Sequence, residues 1–290
     1  MRGKIVKAVG GFYYLQDGEN VHACRARGLF RNMDLKPLVG DEAEFELTHT
    51  EDVEGFVTEI LPRKNELVRP AVANVDLMLA FFAMKDPAPN MLHISRLLLA
   101  AETAGVRPVI VLNKSDLVNA KKVSAHAAMF RGTGYELHTV SVKTGEGIDE
   151  ILPLLAGKTT VLAGPSGAGK SSFLNAVLGG AHMETGEISR KLQRGRHTTR
   201  HTELFYLGDE GYLLDTPGFS ALDNDLEPEQ IRDYFPEFSE YQKDCRFAVC
   251  VHADEPDCAV KRALAEGKIS PERYEAYLAL YRERKSAKRY

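Results

Sequence analysis

Eight residues in the middle of the chain, Gly164-Pro165-Ser166-Gly167-Ala168-Gly169-Lys170-Ser171, fit the pattern G-x-x-x-x-G-K-[ST] in full. Glycines at these positions let backbone N–H groups close around phosphate oxygens, and a helix opening at the lysine adds the positive end of its dipole. Lys170 is then placed to reach the β- and γ-phosphates, and Ser171 to bind Mg²⁺. The alternative, a glycine-rich turn without a ligand, leaves unexplained why an apolar strand pattern, Thr159 to Ala163, precedes the loop and a helical pattern follows it. The spacing predicts a nucleoside triphosphate site.

Three further motifs also end apolar runs. Asn113-Lys114-Ser115-Asp116 has the N-K-x-D form, in which the Asp carboxylate accepts from guanine N1–H and its exocyclic amine, a donor pair that adenine does not present. Ser141-Val142-Lys143 reads either as a second guanine loop, whose backbone donates to the base oxygen, or as an ordinary strand-end loop. Asp215-Thr216-Pro217-Gly218 has the D-x-x-G form: Asp215 would hold Mg²⁺ through water, and the Gly218 N–H would meet the γ-phosphate. Ligands of open α/β sheets bind at the carboxyl ends of strands, where all four motifs fall. Their order is permuted, because N-K-x-D precedes the phosphate loop and D-x-x-G comes last. The sensor therefore leads directly into the C-terminal zone, which hydrolysis is expected to move.

Many GTPases place a water-orienting Gln directly after D-x-x-G. Here that residue is Phe219, so hydrolysis needs another group or runs slowly alone. Gly195-Arg196-His197-Thr198-Thr199-Arg200 lies where a first switch belongs. Thr199, or Thr198 beside it, would complete the Mg²⁺ shell, and His197 is either the group that orients water or a bystander. Near the C-terminus, Cys245-x₄-Cys250-x-His252-x₅-Cys258 offers three thiols and an imidazole, which close a tetrahedral Cys₃His set. No open position remains, so one structural zinc is expected. Cys24 reads as a buried apolar residue.

Positioning these groups takes three zones. Residues 1–65 carry five short strand patterns separated by Gly10-Gly11, Asp17-Gly18 and Gly40-Asp41, which predicts a small β-barrel of OB type, with a β-sandwich or SH3-like barrel as alternatives. Arg25, Arg27, Arg31 and Lys36 there could face nucleic acid or only solvent. Residues 66–225 alternate strand and helix as a doubly wound α/β core, with a helix from 170 expected to stop at Gly179-Gly180. Residues 226–290 carry the cysteine cluster and two helices, the second with Tyr274, Tyr277, Leu278 and Tyr281 as a packing stripe.

Composition narrows the class. Apolar residues make up 44% and charged residues 27% of 290, the profile of a globular multidomain protein. The longest apolar run, Leu77 to Met84, falls far short of the roughly 20 residues that span a bilayer, and no secretion signal opens the chain, so a cytoplasmic protein without a membrane partner is expected. A net charge of −4 argues against a polyanion partner until its distribution is read. Acids crowd between Asp209 and Asp257, whereas Arg190, Lys191, Arg194, Arg196 and Arg200, and the stretch after Lys261, are basic.

A small barrel, N-K-x-D, S-V-K, G-P-S-G-A-G-K-S, G-R-H-T-T and D-T-P-G-F in that order, then C-x₄-C-x-H-x₅-C, together resemble the bacterial ribosome small-subunit-dependent GTPase A family across essentially the whole chain. The resemblance implies an N-terminal OB-fold barrel, a circularly permuted GTPase core and a C-terminal zinc-knuckle and helical domain. It implies nucleotide contacts at Asn113 to Asp116 and from Gly164 to Ser172, zinc at Cys245, Cys250, His252 and Cys258, and His197 as the water-orienting residue. It also implies GTP and GDP as ligands, and action late in maturation of the 30S subunit through 16S rRNA, in a chain expected to be a monomer. The competing reading is a zinc-dependent RNA-binding regulator in which GTP is mainly a structural ligand.

Overall fold

A computed structural model of the chain describes residues 1–26, 36–50, 53–68, 70–185, 202–209, 211–215 and 226–287. By contacts it divides into one unit of Met1–Met78, Asp149–Ala163 and Lys170–Phe219 and a second of Leu79–Ile148, Gly164–Gly169 and Ser220–Tyr290. Among the described residues no helix is long and apolar enough to cross a membrane.

The first unit opens with β1 (Arg2–Val9), β2 (Phe12–Asp17), β3 (Asn20–Ala26), β4 (Glu42–Thr50) and β5 (Val53–Ile60), closed into a barrel of order β1-β2-β3-β5-β4. All neighbours are antiparallel except β3 with β5, whose parallel register pairs Cys24 with Gly55. Alternation sends Ile5, Leu15, Cys24, Phe45 and Val57 inward, each fully buried. The barrel is the OB-like one expected. A short hairpin, β6 (Glu66–Val68) with β7 (Ala71–Ala73), follows it and was not foreseen from the sequence. Its Ala73 packs so closely on Gly40 (φ +92°) that a Cβ there would lie 2.1 Å from the Ala73 carbonyl oxygen.

The core strands are β8 (Leu77–Ala83), β9 (Arg107–Asn113), β10 (Glu136–Thr139), β11 (Thr159–Ala163), β12 (Phe205–Gly208) and β13 (Gly211–Asp215), in the sheet order β10-β9-β8-β11-β13-β12. Pairing is parallel for β9 with β10 and for β11 with β13, and antiparallel for β12 with β13. The helices are α1 (Met91–Thr103), α2 (Ala120–Ala128), α3 (Ile148–Leu155) and α4 (Lys170–Thr185). Buried β8 reads as an unbroken apolar run, and all five residues of β11 are buried, its two threonines included, because helices cover both faces of such sheets. Helix α4 does not stop at Gly179-Gly180 as expected. Gly179 keeps a backbone without positive φ, and a glycine inside a helix costs only about 1 kcal/mol.

In the second unit, 3₁₀ turns at Pro228–Tyr234 and Pro236–Phe238 precede α5 (Ser239–Gln242), α6 (Ala259–Ala265) and α7 (Pro271–Ala287). Tyr274, Tyr277 and Tyr281 are buried against Phe235, Phe238 and Leu99, so the tyrosine stripe is indeed a packing face. Arg273 is buried beside it and forms a two-point ion pair with Glu237, through Nε at 2.7 Å and Nη2 at 3.2 Å. Its Nη1 donates to Ser95 Oγ on α1 at 2.9 Å.

Candidate functional site

In the second unit, the three loops read as nucleotide motifs converge on one side chain. Asn113, buried at the end of β9, donates from Nδ2 to the Ala168 carbonyl at 2.8 Å and accepts at Oδ1 from the Val142 N–H at 3.0 Å. It thereby joins the N-K-x-D loop, the phosphate loop and the S-V-K loop. Ser141 Oγ donates to Asp116 Oδ1 at 2.8 Å, which fixes the plane of the exposed carboxylate that would read the base. The Ser115 N–H donates to the Val140 carbonyl at 3.1 Å, and Lys114, at φ +65°, turns its ammonium onto the Asp86 carbonyl. Val142 is partly buried and Lys143 exposed.

The phosphate loop needs its glycines for stated reasons. At Gly164 (φ +147°) a Cβ would lie 2.0 Å from the Phe81 carbonyl oxygen, and at Gly169 (φ +103°) 2.2 Å from Asn113 Nδ2. Gly167 (φ +78°) has only Pro87 Cδ within reach, at 3.5 Å. Ala168 is buried and its N–H closes a turn onto the Pro165 carbonyl, while Ser166 and Gly167 are exposed, as an anion cradle requires.

The first unit holds the rest of the motif. Helix α4 opens at Lys170. Burial holds the Lys170 ammonium below the ordinary lysine value, partly offset by the Asp215 carboxylate. Ser171 Oγ donates to Asp215 Oδ2 at 2.7 Å, so the two groups expected near Mg²⁺ already meet, and the hydroxyl and carboxylate oxygens are donors of the kind Mg²⁺ takes. Ser172 is exposed on the first turn of the helix. His197, Thr198, Thr199, Gly218 and Phe219 lie outside the described residues, as do Arg27, Arg31 and the basic run 190–200.

Cys245, Cys250, His252 and Cys258 do come together, with all four ligand atoms within 4.8 Å of one another. His252 Nδ1 faces Cys258 Sγ at 3.4 Å and Cys245 Sγ at 3.6 Å, while its Nε2 is buried without a partner. Burial raises the Cys250 thiol to about 12 and lowers the His252 imidazole to about 4, leaving a neutral ring. Three thiols crowded onto a neutral imidazole fit a soft, tetrahedral metal ion, which would bind them as thiolates. Tyr274 Oη donates to the His252 carbonyl at 2.6 Å and the Tyr277 hydroxyl to the Val251 carbonyl, so α7 braces the knuckle. Cys24, by contrast, is buried in the barrel.

Sequence reasoning missed Asp86 as the partner of Lys114, the Asn113–Ala168 bond and the Arg273 anchor. The first follows an unrecognised turn at Asp86-Pro87, and the others pair residues far apart in the chain.

Known proteins resemble the chain over essentially its whole length. Residues 60–225 match the RsgA GTPase family and residues 2–57 the RsgA N-terminal domain. The chain is 45% identical over 302 residues to the small ribosomal subunit biogenesis GTPase RsgA of Agathobacter rectalis, covering 100% of both. It is 46% identical over 283 residues to the protein of that name from Caldanaerobacter subterraneus subsp. tengcongensis, covering 98% of this chain and 95% of that one. Among solved structures it resembles YjeQ from Thermotoga maritima (TM-score 0.82, 36% identity, 98% of each chain). It also resembles YloQ, described as a circularly permuted GTPase (TM-score 0.80, 34% identity, 99% of this chain and 95% of that one).

Proposed function

The chain belongs to the RsgA GTPase family and is a GTP-hydrolysing enzyme, and on that premise we propose that its hydrolysis serves late maturation of the 30S ribosomal subunit, with the subunit raising the rate. The observation that carries the reading is Asn113, whose two bonds hold the base-reading and phosphate-reading loops in one arrangement. Such preorganisation lowers the ordering cost of binding.

Residues Asn113 to Asp116 and Ser141 to Lys143 take the guanine base, with Asp116 accepting its N1–H and amine. Gly164 to Ser172 take the phosphates, Lys170 neutralising charge on the β- and γ-oxygens. Mg²⁺ held from Ser171 and Thr199, with Asp215 behind it, would supply further positive charge where phosphate oxygens accumulate negative charge. Gly218 senses the γ-phosphate, and His197 orients water in place of the Gln that Phe219 displaces. The Cys₃His site holds one structural zinc.

The barrel of residues 1–65 and the zinc domain of residues 226–290, which precede and follow the core of residues 66–225 in sequence, both grip 16S rRNA, in a cytoplasmic monomer. Two arginine–aromatic pairs support the grips: exposed Arg25 over the partly buried Phe12 ring at 4.5 Å on the barrel, and Arg246 over Phe247 at 5.6 Å on the knuckle, where Phe247 is 43% exposed. Unstacked RNA bases pair with such surfaces. Cosedimentation tests the grips: with a non-hydrolysable GTP analogue the protein should travel with 30S particles, and binding should weaken markedly between about 50 and 200 mM salt. Preference for intact 70S ribosomes, or binding indifferent to salt, would contradict it.

A further inference from the structure

The first strand of the barrel is hydrogen-bonded to the GTPase core within the first unit. The Leu204 N–H donates to the Val6 carbonyl at 2.8 Å, Lys7 and Glu203 form an antiparallel bridge, and Lys7 Nζ pairs with Glu203 Oε2 at 3.0 Å. Three residues earlier on the strand, Lys4 Nζ donates to Thr159 Oγ1 at 3.1 Å, lies 5.1 Å from the centre of the Tyr212 ring, and pairs with Glu42 at 2.8 Å. Thr159 begins the strand that feeds the phosphate loop, and Tyr212 lies in the strand that ends at Asp215.

Register gives this contact its meaning. In the β12–β13 ladder Phe205 pairs with Leu213 and Tyr206 with Tyr212. Glu203 and Leu204 lead directly into this ladder, and β13 ends at Asp215, the carboxylate bonded to Ser171. In sequence, Glu203 follows Thr199 by four positions and His197 by six. The barrel thus grips the chain between the expected first switch and the strand that pairs with β13, which carries Asp215 at its end.

We propose that Lys7 and Glu203 are positioning residues for GTP hydrolysis: β1 of the barrel fixes Glu203–Leu204 at the head of β12, which pairs with the strand ending at Asp215, so that what the barrel binds is felt at the phosphate end of the site. This rests on the reading of the site as a GTPase centre given above. The pair is partly exposed, Lys7 at 34% and Glu203 at 41%, so it adds little to folding and is free to act as an adjustable contact. It also differs from an RNA contact on the barrel, because its partner is a carboxylate of the same chain.

The test is a charge exchange in the full-length protein. Lys7→Glu sets two carboxylates together. It should lower kcat by about three- to tenfold, alone and with 30S subunits, while GDP affinity and Tm stay near wild type. Lys7→Glu combined with Glu203→Lys should restore kcat to within about twofold, and Lys7→Arg should behave as wild type. Hydrogen exchange at the Leu204 amide should quicken in Lys7→Glu and slow again in the exchanged pair. A Lys7→Glu protein with wild-type kcat, or a loss that the exchanged pair does not recover, overturns the proposal. So does a change confined to the 30S concentration giving half-maximal rate, which would make Lys7 an RNA contact. If wild type hydrolyses no GTP, the GTPase reading itself fails, whereas the Leu204 amide still reports whether the pair holds the strand.

Discussion

The Asn113 side chain and the Ala168 carbonyl are bonded at 2.8 Å, although 55 residues separate them in the chain. Through that bond the end of β9 supports the floor of the phosphate loop, and Gly169 must be glycine because Asn113 occupies the space of its Cβ. Asn113→Ala would orphan the buried Ala168 carbonyl and free the Val142 N–H, each worth about 1–3 kcal/mol when left unpaired. GDP affinity, followed by titration with a fluorescent analogue, should fall at least about tenfold, and Tm should drop by several degrees.

Gly169→Ala should be more damaging to the nucleotide than to the fold. The new Cβ meets the Asn113 amide at 2.2 Å in a backbone region that L-residues avoid. Displacing that amide separates the two loops, so nucleotide binding should be lost while far-UV circular dichroism stays native.

Lys170 gives binding a pH dependence with a fixed sign. Burial lowers its pKa in the free protein below the ordinary lysine value of 10.5, and a bound phosphate must raise it again. Affinity is therefore complete below the free-state pKa and declines as pH rises through the window between free and bound values. Calorimetry in buffers of different ionisation enthalpy should show proton uptake on GDP binding at alkaline pH. Lys170→Arg, whose guanidinium does not titrate there, should show none.

Chelation should act on the knuckle and spare the nucleotide site. Elemental analysis should find one zinc per chain, and removing it should lower Tm, since structural zinc in small knuckles supplies about 10–16 kcal/mol of apparent folding free energy. GDP affinity should survive, because the four ligand atoms face one another within 4.8 Å and none belongs to a nucleotide motif. Cys258→Ala should reproduce the chelated protein.

The buried Arg273–Glu237 pair anchors α7 and the 3₁₀ turn at Pro236–Phe238 to Ser95 of α1. Removing one partner strands a buried charge, so Arg273→Met should cost about 3–5 kcal/mol in a denaturant titration. Adding Glu237→Gln should recover much of that loss.

The phosphate loop, N-K-x-D and the cysteine cluster were legible because each is a run of neighbours whose chemistry is local. The barrel strands were legible from alternation ending at Gly10-Gly11 and Asp17-Gly18. The end of α4 was not, since Gly179 caps a helix only if the chain turns left-handed there, and helical backbone hydrogen bonding continued instead. The β6–β7 hairpin escaped because strands of three residues carry no readable period. Arg273 carries no local signal that sets it apart from the other cations after Lys261. Only the fold, by bringing Glu237 and Ser95 to it, made it a core residue.

The rate of GTP hydrolysis by the purified protein, alone, with 30S subunits and with 50S subunits, tests the central claim most directly. A slow basal rate is expected because Phe219 stands where many GTPases carry the water-orienting Gln. Addition of 30S subunits should raise it by orders of magnitude, within the roughly 10⁵-fold range of partner-stimulated GTPases, and 50S subunits should leave it unchanged. A rate that stays at background with 30S subunits, while GTP still binds and raises Tm, would make the nucleotide a structural ligand and contradict the account.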